Sequence, residues 1–419
     1  MKANHPAIAL FFFTIFCGHT LVTAEDLRIL RNDEDAYAAR RQLIDNASRT
    51  LDIAWFELVA DTTGTEFVEA VADAAQRGVS VRLILDGMFD HSNVSQRSKL
   101  LDAGVQIRWF HPRGTGAANL MRRMHDKYLA ADRNRLIIGS RNIGDVYFGR
   151  ANKEENFLDL DLEVIGDFVS STTLYYDTLW NSGEVHSVRT YKDETTDTPK
   201  KLNQAAPPPI STARKTVQPN WISVPRDDLK FLFDKNGVKT RRGGIRNDIY
   251  SQLAKAETSL LIVSPYFYPP RALRKLLREL HERGVSIKIL TNSLESTNRP
   301  INHLAMRRTL RYPDLEGIEI REYRGNKTLH MKGFIVDDTH ASVTSFNFNH
   351  RSHYFDTELA LLISDRNLVQ NIREVLEDNL TPSEPIADRQ HIIPPKTNAL
   401  SKQELRKLRF LTSLIPKHL

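Results

Sequence analysis

Two distant stretches of the chain run through the same order of residue types, and this duplication limits the fold more than any other feature. Ala47-Ser-Arg-Thr-Leu-Asp-Ile-Ala-Trp55 leads through a helix-like stretch to Arg77-Gly-Val-Ser-Val-Arg-Leu-Ile-Leu85. Ala256-Glu-Thr-Ser-Leu-Leu-Ile-Val-Ser264 leads through another to Arg283-Gly-Val-Ser-Ile-Lys-Ile-Leu290. Each copy reads as helix, apolar strand, helix, apolar strand, so the chain repeats one structural unit. Short β-rich runs between helical stretches predict an α/β lobe with a largely parallel sheet. Between the copies, Thr190–Asn220 holds Pro207-Pro208-Pro209 among polar residues, which marks a linker or a surface excursion. The predicted organisation is lobe one at 25–188, a linker at 189–220, lobe two at 221–380 and a tail at 381–419. A length of 419 residues accommodates such a two-lobed molecule.

Each copy also carries the same polar motif. Lobe one has His125-Asp-Lys127 followed by Asp132, and lobe two has His330-Met-Lys332 followed by Asp337. Ser140 and Asn142 follow the first aspartate at the spacing with which Ser345 and Asn347 follow the second. A single H-x-K-x4-D arises by chance in roughly 5% of chains of this length, but two in equivalent places of a repeat do not. On a strand, His and Lys two residues apart share a face. Asp132-Arg-Asn134 and Asp337-Asp338 are turn-like, so Leu136–Ser140 and Ala341–Ser345 are predicted to be returning strands. If the copies pair about a pseudo-twofold axis, two histidines, two lysines and two asparagines meet in one cleft.

Such a cleft suits phosphoryl chemistry. One unprotonated imidazole attacks phosphorus and forms a phosphohistidine, and the other, protonated, donates to the leaving oxygen. The lysines and asparagines stabilise charge on the phosphoryl oxygens. No metal or cofactor is expected, because the lysines neutralise the charge and would repel a cation.

Apolar residues at 41% and charged residues at 26%, with 19 Gly and 18 Pro, exclude collagen, coiled coil and wholesale disorder. The one cysteine, Cys17, excludes an intramolecular disulfide and any cysteine-based zinc or iron–sulfur site. A net charge of +6 suits an anionic partner, either a phospholipid surface or nucleic acid. Ala7–Cys17 is a short apolar run ahead of Val22-Thr-Ala24, which predicts a secretory signal peptide at 1–24; the alternative is an uncleaved anchor. In the tail, Leu405, Leu408, Leu411 and Ile415 recur at helical spacing among Lys402, Arg406, Lys407 and Arg409. This basic amphipathic helix would lie on an anionic membrane or dock on the protein itself.

The twin motifs resemble the phospholipase D superfamily. Gly139-Ser-Arg-Asn-Ile-Gly-Asp-Val-Tyr-Phe148, Thr344-Ser-Phe-Asn347 and Thr291-Asn-Ser-Leu294 are similar to its bacterial cardiolipin synthase branch. The resemblance implies two α/β/α lobes with the active site between them, His125 as nucleophile and His330 as general acid. It also implies an acidic residue after each motif that orients a histidine: Glu358 in lobe two, and one of Asp159, Asp161 and Glu163 in lobe one, where Asp159 aligns best. Asp132 and Asp337 belong to the catalytic motif, with a structural role in the turn and the lobe contact the expected one. The implied reaction is phosphatidyl transfer or hydrolysis on glycerophospholipid at an anionic membrane, in the periplasm or envelope. The alternative is a secreted, metal-independent phosphodiesterase or endonuclease acting on nucleic acid. Leu85–Phe89, Asn302–Met306 and the short Tyr323–Thr328 depart from the family pattern and are expected to border the pocket.

Overall fold

A computed structural model of the chain describes residues 24–112, 121–152, 155–187, 220–234 and 244–387, with a few isolated residues beyond. Two large sheets carry the architecture. The first contains β1 (Ala24–Leu30), β2 (Thr50–Trp55), β3 (Ser80–Asp86), β4 (Gln106–Phe110), β5 (Lys127–Ala131), β6 (Arg135–Gly139), β7 (Asp161–Ile165), β8 (Val185–His186) and β9 (Ile222–Pro225). Their spatial order is β8-β4-β3-β2-β5-β6-β7-β1-β9. The second contains β10 (Leu229–Phe233), β11 (Ser259–Val263), β12 (Ser286–Asn292), β13 (Glu319–Tyr323), β14 (Gly333–Val336), β15 (His340–Thr344), β16 (Leu359–Ile363) and β17 (Ser383–Pro385). Their order is β10-β16-β15-β14-β11-β12-β13-β17. The successions β4-β3-β2-β5-β6-β7 and β13-β12-β11-β14-β15-β16 are equivalent, so the repeat in sequence is a repeat in fold.

The sheets are mixed rather than largely parallel. β2, β3 and β4 run parallel, as do β11, β12 and β13, but the motif strands join antiparallel. The cause is local. Asp132 and Arg133 have φ of 53° and 61°, and Asp337 and Asp338 have 49° and 55°. Two consecutive left-handed residues make the tight turn that returns β5 into β6 and β14 into β15. The lobe boundaries also shift. β9, predicted in lobe two, pairs with β1 through Ala24↔Pro225 and Leu27↔Ile222. β17 extends the second lobe past residue 380 by pairing with β13.

Strand alternation distributes the core. Leu129 and Ile137 face the helices α1 (Asp33–Asp45), α2 (Thr62–Gln76) and α3 (Val94–Asp102), while Tyr128, Leu136 and Ile138 face the other way. That inner face joins Leu261, Ile335, Val343 and Leu361 of the second sheet in one apolar cluster, together with α4 (Phe168–Trp180) and, from lobe two, α8 (Arg366–Glu377). The outer face of the second sheet is covered by α5 (Ile245–Leu253), α6 (Arg271–Glu282) and α7 (Pro300–Thr309). α6 buries Leu273, Leu277 and Leu280 at helical spacing; truncating one of these to Ala costs about 2–5 kcal/mol. The lobes thus share a core rather than merely touching.

All of the predicted signal peptide except Ala24, most of the predicted linker and the basic stretch Lys239-Thr-Arg-Arg242 lie outside the described residues. So does most of the tail, of which Gln403, Arg406 and Phe410 are helical and exposed. Among the described residues no helix is long and apolar enough to cross a membrane.

Candidate active site

Two very short parallel ladders cross from one lobe to the other and set the site. Arg123–Met124 pairs with Asp356–Thr357, and Phe157–Leu158 pairs with Thr328–Leu329. The register Met124↔Thr357 places His125 beside Glu358, and Leu158↔Leu329 places His330 beside Asp159. Backbone bonds continue both ladders: the His125 N–H donates to the Thr357 carbonyl at 3.1 Å, and the His330 N–H to the Leu158 carbonyl at 2.8 Å. Each histidine is therefore served by an acid from the opposite lobe.

The imidazoles are held from Nδ1. Nδ1 of His125 lies 3.0 Å from Glu358 Oε2, and Nδ1 of His330 lies 2.7 Å from Asp159 Oδ1. With Nδ1 donating, Nε2 carries the lone pair in each ring. The acids are fixed in turn. Ser140 Oγ donates to Asp159 Oδ1 at 2.5 Å, and Ser345 Oγ donates to Glu358 Oε2. Lys127 Nζ donates to the His125 carbonyl at 2.6 Å, and Lys332 Nζ to the His330 carbonyl at 2.5 Å. The symmetry ends there. Lys332 Nζ also lies 3.1 Å from Nε2 of His330, whereas Nε2 of His125 has no partner among the described residues.

Aromatic rings line the two half-sites. Phe157 stacks on His330 with ring centres 4.9 Å apart, and Phe56 meets His125 edge-on at 4.9 Å. Tyr147 packs 5.6 Å from His330, and Lys127 Nζ lies 5.0 Å above the Phe56 ring. Burial in this apolar frame penalises every charge. It lowers Lys127 to about 8 and Lys332 to about 7, the latter pushed further by Lys127. Burial lowers His330 to about 4 despite the Asp159 carboxylate. His125 sits well below its ordinary value through burial, then through Lys127, Lys332 and His330. His125, His330 and Lys332 each feel motif groups of the other lobe, and Lys127 feels Glu358, so the four share one site. The acids diverge. Burial and the neighbouring Asp356 push Glu358 well above the carboxylate range, whereas His330, Lys332 and Arg141 outweigh burial at Asp159 and hold it far below.

The other sequence-derived residues sort as follows. Asp132 and Asp337 do not join the imidazoles; they sit at the far ends of β5 and β14. Asp132 accepts from the backbone of Ser48, Arg49 and Thr50 at 2.9, 2.7 and 2.9 Å. Asp337 accepts from Glu257, Thr258 and Ser259 at 2.7, 2.8 and 2.7 Å. Each pins the start of the neighbouring strand within its own lobe, rather than a contact between lobes. Asp161 and Glu163 are buried but turn to arginines: Asp161 to Arg40 and Arg141, Glu163 to Arg28 and Arg135. Gly139 admits the Asp161 carboxylate, which would clash with any Cβ there. Asn142 donates to the Tyr147 hydroxyl at 2.9 Å, and among the described residues neither Asn347 Oδ1 nor Asn142 Oδ1 receives a bond.

Several site residues escaped sequence reasoning. Glu57 accepts from Tyr147 at 2.7 Å, yet neither lies in the motif. Asp86 accepts from Met124 N and Asn292 from Leu329 N, at 2.8 and 3.0 Å, so both brace the residue before a motif histidine. Asn292 lies in Thr291–Leu294, a stretch similar to the cardiolipin synthase branch, and Asp86 in Leu85–Phe89, a segment expected to border the pocket. His303, in another such segment, instead pairs with Glu322.

The model of the family described as "Cardiolipin synthase, PLD-like domain" matches residues 41–172 and again 249–380. The chain is similar to cardiolipin synthase C of Escherichia coli, at 28% identity over 82% of this chain and 82% of that protein. It is similar to cardiolipin synthase B of Salmonella typhi, at 25% identity over 94% of this chain and 90% of that one. Among solved structures, phosphatidylserine synthase of Haemophilus influenzae shares the fold, with a TM-score of 0.68 at 18% identity, covering 94% of this chain and 95% of that one. With the family model matching each lobe in turn, this chain is an enzyme of the phospholipase D superfamily and belongs to its cardiolipin synthase family.

Proposed function

We propose that the protein is a phosphatidyltransferase that acts on glycerophospholipid through a phosphohistidine on His125, with His330 as the general acid and base. The unequal partners of the two Nε2 atoms carry the assignment: that of His125 is free to attack, while that of His330 meets Lys332. Nε2 of His125 forms a bond to phosphorus as the bond to the headgroup oxygen breaks. The proton that His330 takes up at Nε2 when the anionic phosphodiester binds passes to that oxygen. An acceptor alcohol then returns a proton to His330 as its oxygen displaces His125. Lys127 and Lys332 balance the charge of the phosphoryl oxygens, and a bound phosphodiester anion in turn raises both imidazoles toward neutral pH. The names of the cardiolipin synthase relatives favour cardiolipin as the product, with phosphatidylglycerol or phosphatidylethanolamine as substrates; water in the acceptor's place would give phosphatidic acid. Membrane association, through the basic tail, and export by the amino-terminal segment belong to the same proposal.

The test is a single turnover on labelled phosphatidylglycerol, quenched in alkali, where phosphohistidine survives. Label on the His125 peptide and cardiolipin among the products are expected. With a p-nitrophenyl leaving group, His330→Ala should still label His125, because that leaving group needs no acid. Label on His330 in the wild type would reverse the roles, and cut DNA beside intact lipid would replace the substrate.

A further inference from the structure

The site contains a carboxylate that serves neither imidazole. Glu57 lies as far from the first residue of β2 as Tyr266 lies from the first residue of β11, so it occupies one of two pseudo-equivalent positions beside the histidines. Its Oε2 accepts from Tyr147 Oη at 2.7 Å and is 3.4 Å from Asn142 Nδ2, while its Oε1 lies 2.9 Å from His91 Nδ1. Tyr147 packs against the His330 ring at 5.6 Å. The side chain of Glu57 retains 18% exposure, so the carboxylate is fixed but reachable. Burial alone would raise its pKa, but the bonds from His91 and Tyr147, with the charge of His330, hold it below the ordinary value.

A fixed anion is out of place where a phosphodiester binds, since like charges repel. The phosphoryl group belongs between the lysines. Glu57 stands instead on the His330 side, where the headgroup oxygen leaves and the acceptor oxygen enters. There its spare lone pairs suit a hydrogen-bond donor carried by the alcohol. We propose that Glu57 selects the alcohol, accepting a hydrogen bond from a hydroxyl or ammonium group borne a few bonds beyond the reacting oxygen. The inference rests on the phosphatidyl-transfer reading. It makes Glu57 a specificity determinant, with Tyr147 its positioning residue.

The experiment gives the full-length protein a phosphatidyl-p-nitrophenol donor in mixed micelles, with glycerol, ethanolamine and 1-propanol as competing acceptors. Release of p-nitrophenol reads the first step, and the product ratio reads acceptor choice alone. That ratio does not depend on how much enzyme is folded. The wild type should favour glycerol or ethanolamine over 1-propanol by about 10- to 100-fold, the scale of a charge-assisted bond that the analogue lacks. Which of the two wins identifies the donor as hydroxyl or ammonium. Glu57→Gln should bring the ratio toward unity, and Tyr147→Phe, which leaves the carboxylate but frees it, should give an intermediate value. A wild type without preference, or variants that keep it, overturns the assignment of Glu57 while p-nitrophenol release still stands. Absence of release from the wild type defeats the transfer reading itself.

Discussion

The two histidines have the same motif neighbours but unlike electrostatic surroundings. Asp159 is ionised and pairs tightly with His330, whereas Glu358 is pushed toward its neutral form beside His125. An ionised partner favours an imidazolium that gives and takes protons, and a neutral partner keeps an imidazole uncharged. Asp159→Asn is therefore expected to lower turnover of phosphatidylglycerol by about 10²- to 10⁴-fold, with most of the loss recovered on a p-nitrophenyl ester. Glu358→Gln should lose activity on both substrates alike, because it disturbs the nucleophile. Equal losses on the two substrates for both variants would count against separate roles. The lysines add a pH limit. With Lys332 at about 7 and Lys127 at about 8 through burial, the charge proposed to hold the phosphoryl group fades as pH rises past these values. The pH profile of kcat/KM is expected to be bell-shaped with an alkaline limb between about 7 and 9; a flat profile to pH 9.5 would show that the lysine charges do not limit catalysis.

Elements as short as two residues decide which side chains meet. The ladders Arg123–Met124 with Asp356–Thr357 and Phe157–Leu158 with Thr328–Leu329 exchange the acids between the lobes. Spacing along the chain pointed to the histidines, lysines, serines and asparagines, because the repeat presents them twice, whereas the acids came only with the family resemblance. It could not pair Glu358 with His125, since that pairing lies in a register between strands of different lobes. Aligning the lobes favours Asp159 over Asp161 and Glu163, but the physical reason lies in the fold: the latter two have arginines opposite, and Asp159 has His330. Glu57 was invisible because its counterpart in the repeat is Tyr266, so the repeat offers no match to notice. The hairpins show the converse. Asp132 is in the motif yet supports the fold, collecting backbone N–H groups of Ser48, Arg49 and Thr50. Asp132→Ala should cost about 1–3 kcal/mol, since it strands these donors and puts a less tolerant residue at positive φ. Urea unfolding measures the loss, and turnover per folded molecule below the transition should stay close to wild type. A collapse of turnover in fully folded protein would return Asp132 to the catalytic group.

The molecule as a whole is organised around a seam that is apolar over most of its area and charged at its centre. The shared cluster of Tyr128, Leu136, Ile335 and Leu361 joins the sheets, and the four motif side chains are buried beside it. Because each imidazole needs an acid from the other lobe, a working site needs both lobes of one chain. An equimolar mixture of His125→Ala and His330→Ala proteins is thus expected to remain inactive, and recovered activity would mean that lobes exchange between chains. The buried lysines place a cost on the whole fold. Lys332 titrates at about 7 when folded, mainly through burial, against 10.5 in the open chain. Between those values the unfolded chain holds a proton that the folded one has lost, so stability rises with pH across that window. Below about pH 7 both states are charged and the penalty is complete. Lys332→Met removes the penalty while abolishing turnover. The variant should therefore be more stable than wild type in urea at pH 6.5, with the gap narrowing by pH 9.5. A gap of the same size at both values would mean that the seam tolerates the lysine charge without cost, and that the stability given up at this site lies in its shape rather than its electrostatics.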